Sequence, residues 1–401
     1  MNNFSLYGIR LTIITISLFV ITILFCYTVD PFSAYGRIYL QNGAEVNSPG
    51  FSYQLRMGKA IAIKRIKPTA LIMGSSRSAW GLSPEIANKH FTNKKVYNSA
   101  YPAVTMYEIL RYFQHTVASA PLKHAYIGLD FYGFHGGRPL ASTFREKRLA
   151  VDINNQATLF GVSDFSTTLF SGDAVYYAIK VATGLFNKGD LYLTNGFKQL
   201  DQPSGGKYAF VSSEKQYING TYTAPAFTFS TPNKNSSTTF DYFRKVVQLA
   251  HEKNIDLHFF ISPSHARQWE VIDQLDLWSK WEYWKHEMLH ITEQEGSHYK
   301  QNPIPIHDFS GYSSYSTESV PRKDGETVQW YSDSSHYKHN LGNILMAEML
   351  QGSGENSFGR ILNPKNIKQH LDSINHDKKQ YQLSHPQDVL DIQHLVEKRR
   401  K

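Results

Sequence analysis

The sequence predicts an α/β fold built on a parallel sheet, and three observations predict it. Short apolar runs such as Ala70-Leu71-Ile72-Met73 and Ala125-Tyr126-Ile127-Gly128-Leu129 end in glycine or a polar residue, as buried strands do. The stretches between them carry apolar residues at helical intervals: Val104, Met106, Ile109, Leu110, Phe113 and Val117 make one stripe. The two kinds of segment alternate strand, helix, strand, helix, strand, which is the pattern of strands joined by crossover helices. With 401 residues, 41% of them apolar, the chain is long enough for one large domain or two ordinary ones.

The chain begins with a separate element. Leu11 to Val29 contains no charged residue, and its nineteen positions make about 28 Å of helix, close to the thickness of a bilayer's hydrocarbon core. A signal peptide has a shorter apolar region, and the cleavage-like Ala34-Tyr35-Gly36 lies well downstream. Residues 1–30 are therefore expected to be an uncleaved transmembrane anchor rather than a cleaved signal. Arg10 before the span and Arg37 after it leave the positive-inside rule nearly balanced. A short N-terminal tail followed by one large domain favours an outward-facing domain.

Asp30-Pro31-Phe32 breaks that helix, and residues 31–352 read as the α/β domain. Lys64, Arg65 and Lys67 precede the first strand, Gly74 closes it, and a turn through Gly81 and Pro84 leads to a helix from Glu85. Val96-Tyr97-Asn98 is the second strand, Pro102 to Ala120 a helix, and Ala125 to Asp130 the third strand. Between about 135 and 237 the pattern fails. Gly136-Gly137, Pro203-Ser204-Gly205-Gly206 and Thr231 to Ser237 are loop signals around a weakly helical piece at Ala174 to Leu185. This stretch reads as an insertion over the sheet, able to shape a groove. A helix from Thr239 to Lys253, a strand from Asp256 to Ile261, a tryptophan-rich helix from Gln268 to Thr292, a strand from Pro305 to Ser310 and a helix from Leu341 to Leu350 complete the domain. Residues 353–401 read as a polar, basic appendage ending in Lys398-Arg399-Arg400-Lys401.

A net charge of +8 suits anionic surroundings such as phospholipid head groups or acidic polysaccharide. No aromatic-interleaved basic repeat or nucleic-acid module is present, so nucleic acid is not an expected partner. The single cysteine, Cys26, excludes an intrachain disulfide and a cysteine-based zinc site.

The chemistry-bearing residues gather at strand ends. Ser76 follows the first strand, where a parallel sheet places its ligand crevice. Alternatively, Ser75 and Ser76 serve only as helix caps. An acyl-transfer serine needs a base within hydrogen-bond reach, a carboxylate to fix that base's tautomer, and donors for the oxyanion. His336 and Asp333, three residues apart before the last helix, supply the base and its partner. Backbone N–H groups at Ser76 and Ala103 are candidate oxyanion donors. Arg77 suits a substrate carboxylate or phosphate, or an ion pair that fixes its loop. His265 and Asp308 also end strands; groove-lining and purely structural roles both fit them.

Gly74-Ser75-Ser76, the block containing Asn98 and Asp333-x-x-His336 occur in an order that resembles the SGNH/GDSL-type hydrolases. The likeness covers roughly residues 68–350. It looks closest to the membrane-anchored branch that transfers acyl groups on cell-envelope polymers, where Gly-Ser-Ser replaces Gly-Asp-Ser. The resemblance implies a three-layer α/β/α sandwich with a five-stranded parallel, flavodoxin-like sheet. Ser76 would be the nucleophile, His336 the base and Asp333 its partner, with no cofactor or metal. Arg77, Asn98, Asp130 and His265 would face substrate. Ala103 stands where the family has a glycine, and Asp130 where it has an asparagine oxyanion donor. The implied activity is that of an esterase or O-acyltransferase acting on ester-linked acyl groups, with acetyl as first candidate, of envelope carbohydrate. The implied location is the inner membrane, with the domain on the periplasmic side and the bilayer and an acylated polymer as partners. A non-catalytic carbohydrate-binding relative is the alternative.

His286-Glu287-Met288-Leu289-His290 matches the H-E-x-x-H zinc-protease signature, with His298 as a third ligand candidate. Among 17 histidines a chance match is unsurprising. Trp278, Trp281 and Trp284 recur at helical spacing on the same segment, which points to a packing helix instead.

Overall fold

The computed structural model describes residues 3–41, 43–90, 95–158, 162–185, 191–199, 205–232, 237–351 and 358–400. Among the loop signals, residues 203–204 and 233–236 lie outside these, as do the start of the C-terminal segment at 352–357 and Lys401. The elements in order are α1 (Asn3–Val29), β1 (Tyr39–Gln41), β2 (Ala44–Val46), α2 (Leu55–Ile66), β3 (Ala70–Met73), α3 (Ser76–Gly81), α4 (Pro84–His90), β4 (Val96–Asn98), α5 (Met106–Ser119) and β5 (His124–Leu129). The insertion holds α6 (Val162–Leu169), α7 (Gly172–Ala182), β6 (Leu191–Tyr192), β7 (Lys198–Gln199) and α8 (Lys207–Gln216). Then follow α9 (Thr239–Glu252), β8 (Asp256–Ile261), α10 (Ala266–Gln274), α11 (Trp278–Tyr299), β9 (Ile306–Asp308), α12 (His339–Gln351), β10 (Arg360–Ile361), α13 (Ile367–Ser384) and α14 (Pro386–Arg400).

The central sheet has the order β10-β9-β8-β5-β3-β4. Five strands run parallel, and β10 pairs antiparallel with β9 through Arg360 opposite Asp308 and Ile361 opposite His307. The expectation of five parallel strands is therefore corrected to a mixed sheet of six. A two-residue, exposed edge strand has no alternating pattern to betray it, because only its partner defines it.

All four side chains of β3 are buried, in two directions. Leu71 and Met73 join the larger core with residues of α2, α5, α9 and α11, while Ala70 and Ile72 join Leu82, Leu341 and Leu345 on the other face. Burial on both faces explains why the strands read as continuous apolar runs. From β3 the chain passes first to β4 on one side and then to β5 on the other. The carboxyl ends of β3 and β5 thus border a topological switch point, the usual ligand crevice of an open α/β sheet.

Four features depart from the sequence reading. Helix α2 occupies a stretch read only as mixed composition. The tryptophan-rich helix is two helices, broken near Asp276, whose φ of 58° is left-handed. Helix α1 starts at Asn3, and Cys26 in its last third is buried against Phe32, Met57, Leu169, Ala174 and Ala178. The C-terminal segment is no loose appendage: Ile367, Leu371, Ile374, Ile392 and Val396 are buried in the main core.

Candidate active site

The site begins with Gly74. Its φ of 139° lies where side chains are disfavoured, and a Cβ there would come within 2.3 Å of Ser78 Oγ. This sharp turn lets α3 start immediately after β3. Ser75 is its N-cap, its Oγ accepting the Arg77 N–H at 3.1 Å. Capping thus falls to Ser75 and leaves the Ser76 hydroxyl for other work.

Ser76 Oγ lies 2.8 Å from His336 Nε2, and His336 Nδ1 lies 2.8 Å from Asp333 Oδ2. The other Asp333 oxygen accepts the backbone N–H groups of Ser335 (2.7 Å) and His336 (2.9 Å). Burial alone would raise the Asp333 carboxyl. The His336 ring and these N–H donors outweigh it and hold the group below the usual carboxylate range. A carboxylate at Nδ1 assigns the proton to that nitrogen and leaves Nε2 to accept from the serine. The relay is reachable: the side chains of His336 and Asp333 are 15% and 16% exposed.

Two glycines bring the halves of the site together. A Cβ on Gly342 of α12 would lie 1.9 Å from the Gly81 carbonyl oxygen of α3, and one on Gly81 would strike the Tyr337 ring at 2.0 Å. The helix carrying Ser76 and the helix following His336 therefore pack backbone to backbone. Arg77 ties the same parts side chain to side chain. Its Nε and Nη2 donate to Ser335 Oγ at 3.1 and 3.0 Å, and its Nη1 donates to Asp130 Oδ1 at 2.8 Å. Ser335 also meets the Tyr217 hydroxyl at 2.7 Å, so the insertion reaches the site. Burial opposes the Arg77 charge, but Asp130 outweighs it and raises the guanidinium above its ordinary value.

Trp80 was not singled out in the sequence. Its ring stacks on the His336 imidazole with centroids 4.1 Å apart and planes at 20°, and Lys198 Nζ of β7 sits 4.7 Å from the Trp80 ring centre. The only sequence signal is its position, one helical turn beyond Ser76.

The loop carrying Ala103 is held from several sides. Tyr101 N donates to Gly74 O at 2.9 Å, Arg56 Nη2 to Pro102 O at 3.1 Å, and Thr105 and Glu108 form a capping box at the start of α5. Lys59, fully buried in α2, donates from Nζ to the carbonyls of Asn98 (2.9 Å), Ala100 (2.8 Å) and Gly196 (3.0 Å). Burial pulls its ammonium well below the ordinary lysine value. Ala103 itself is exposed with a φ of 54°, so the backbone adopts the conformation that glycine would take most easily. Ser76, as the first residue of α3, presents an N–H from the turn where a helix lacks internal acceptors.

The remaining sequence candidates are scaffold. Asn98 is buried, its Nδ2 donating to the carbonyls of Ser78 (2.9 Å) and Leu82 (2.8 Å) and its Oδ1 accepting Ala100 N–H at 3.0 Å. It finishes the C-terminal end of α3 rather than facing a ligand. His265 is buried, with Nδ1 accepting Arg267 N–H and Nε2 lying 2.8 Å from Glu318 O, and burial lowers its pKa to about 4. Asp130 and Arg77 are buried and paired with each other. Asp308, also buried, binds Lys285 Nζ at 2.7 Å and His370 Nε2 at 2.9 Å.

His286 and His290 are exposed on the outer face of α11, whereas Trp281 and Trp284 are buried beneath them. Among the described residues, no group of three or more His, Cys, Asp or Glu side chains is arranged to hold a metal ion. An open groove of about 620 Å³ is lined by Gln248, Glu293, Gln294, Glu295, Ser297 and His298. These lie at the ends of α9 and α11 that lead into β8 and β9, so the groove sits toward the amino ends of the strands, whereas Ser76 follows a carboxyl end.

Compared with known proteins, the chain matches no family model, and no curated sequence matches it significantly. The reading of the site therefore rests on its geometry.

Proposed function

We propose that the protein is a membrane-anchored serine esterase or O-acyltransferase of SGNH type, acting on ester-linked acyl groups of cell-envelope carbohydrate. The observation that carries this reading is the unbroken relay from Ser76 Oγ through His336 to Asp333, with both links at 2.8 Å. Ser76 Oγ attacks the ester carbonyl while its proton passes to His336 Nε2. The Asp333 carboxylate stabilises the imidazolium, and backbone N–H groups at Ser76 and Ala103 receive the oxyanion. His336 then protonates the departing alcohol oxygen and leaves an acyl-serine. Water or a sugar hydroxyl reverses the sequence, which returns the proton to Ser76 and releases an acid or a new ester.

Asp130, paired with Arg77, offers no donor where the family has an asparagine, so this chemistry relies on the two backbone donors. A helix long and apolar enough to cross a bilayer, exposed over its first turns from Phe4 to Ile21, supports the anchor. The outward orientation and the inner-membrane location belong to the same proposal and are supported by the resemblance alone. The basic net charge and the aromatic side chain beside His336 suit an anionic sugar polymer. Ser76→Ala tests the reading. With thermal unfolding unchanged, it is expected to abolish turnover of p-nitrophenyl acetate and acetate release from an acetylated polysaccharide. Turnover at the parent rate would exclude the mechanism.

A further inference from the structure

The insertion does more than border the site. Helices α6 and α7 form a hairpin packed along α1: Leu169, Ala174 and Ala178 close around Cys26. Tyr177 reaches Phe32, with ring centroids 5.8 Å apart, and at the hairpin's turn Phe170 meets Phe19 edge-on at 5.2 Å. The turn is thus the end of the hairpin farthest down α1. Phe165 continues the aromatic surface, 6.5 Å from Phe170, and all three of these phenylalanines are exposed. Above them, at the outer end of α1, stand the exposed tyrosines Tyr27, Tyr35, Tyr53 and Tyr176. Tyrosines with one apolar and one wet end gather where a membrane meets water.

The length of α1 sets the level. Its 27 residues would make about 40 Å, more than the ~30 Å hydrocarbon core. Phe4 to Ile21 alone spans about 27 Å, and the following turns are those that pack into the domain. Arg10, inside this stretch, can extend its long side chain to the inner boundary. Phe19 then lies near the outer boundary, and so does the α6–α7 turn. Asp173, exposed just past the turn, and Lys180, over the Tyr176 ring at 5.0 Å, keep the hairpin from going deeper.

We propose that the α6–α7 turn is a second membrane contact, which dips Phe165 and Phe170 into the acyl chains of the leaflet where α1 emerges. The catalytic domain is then seated on the bilayer in one orientation instead of hanging from a single tether. Lipid is the occupant because the apolar surface of the turn is continuous with that of the anchor. The inference rests on α1 spanning the bilayer and is independent of the Ser76 relay.

The test uses full-length protein with Cys26→Ala, reconstituted in nanodiscs of phosphatidylethanolamine and phosphatidylglycerol. Single cysteines replacing Phe170, Phe165, Ile16 and Tyr283 carry a nitroxide, and an unchanged unfolding temperature reports the fold. Collisions with oxygen, which concentrates in lipid, are compared with collisions with a water-soluble nickel chelate. Positions 170 and 165 are expected to behave like position 16, dominated by oxygen, while position 283 is dominated by nickel. Nickel-dominated collisions at 170 and 165, with oxygen-dominated collisions at 16, would overturn the proposal and leave the anchor standing. Shielding of 170 from both reagents would overturn it in favour of a protein partner. Nickel access at 16 would remove the anchor, and the proposal with it.

Discussion

His336 has a fixed neighbour on every side that matters: Ser76 at Nε2, Asp333 at Nδ1, Trp80 across its face, and Arg77 holding adjacent Ser335. Asp333→Asn removes the carboxylate that fixes the tautomer and is expected to lower kcat on the order of 10³–10⁴-fold with little change in unfolding temperature. Trp80→Leu keeps the ring covered but removes the π face that favours an imidazolium. kcat is expected to fall several-fold with little change in KM, and Trp80→Phe should restore most of the loss. An unchanged kcat in Trp80→Leu would reduce that residue to packing. Asp333 also links pH to stability. Its folded pKa lies below the unfolded value, so its contribution is complete above about pH 4 and fades as pH falls through the lower folded value. Urea titrations between pH 2 and 5 should show a shallower acid loss of stability in Asp333→Asn.

At the level of elements, the contact between α3 and α12 is what makes the relay possible. Gly342→Ala places a methyl group 1.9 Å from a backbone oxygen, which cannot rotate away as a side chain would. Overpacking of this kind costs about 1–3 kcal/mol and forces the helices apart. The variant is expected to lose several degrees of thermal stability and most of its esterase activity together. Unchanged activity would mean that the Ser76–His336 distance does not depend on this contact. Strands β3 and β5 were legible because burial on both faces writes a nearly continuous apolar run, whereas β4, β8 and β9 mix apolar with polar residues and were legible from their place in the strand–helix alternation. Ser76, His336 and Asp333 were legible because each follows a strand or precedes a helix. Gly81 and Gly342 were not, since a glycine that admits a neighbouring backbone looks like any other until the neighbour is known. Lys59 and Arg56 were missed for a similar reason: their partners are carbonyls and a carboxylate some 40 to 140 positions away. Arg77 was seen with two roles open, a ligand for substrate or an ion pair fixing its loop; the structure shows the ion pair, with an anion from the end of another strand that sequence spacing did not single out as its partner.

For the whole molecule, the C-terminal segment decides stability. Sequence reading treated 353–401 as peripheral because it is polar on average, yet Ile367, Leu371, Ile374, Ile392 and Val396 insert into the core. Each such side chain contributes roughly 1.5–3 kcal/mol on burial, and their sum rivals the whole ~5–15 kcal/mol of a typical domain. Ending the chain after Gln351 would also take His370 from the buried Lys285–Asp308 pair. The truncated protein is expected to be cut by trypsin throughout the domain under conditions where the parent resists. Protection like the parent's would show that these helices are dispensable. The sheet and the C-terminal helices thus share one core, on which the proposed activity makes Ser76 the nucleophile.

That serine can be interrogated directly. Full-length protein in nanodiscs, treated with a fluorophosphonate and mapped by peptide mass spectrometry, is expected to carry one adduct at Ser76. The adduct should vanish in His336→Ala. No adduct, or one on another serine that persists in His336→Ala, would contradict the relay on which the proposed activity stands.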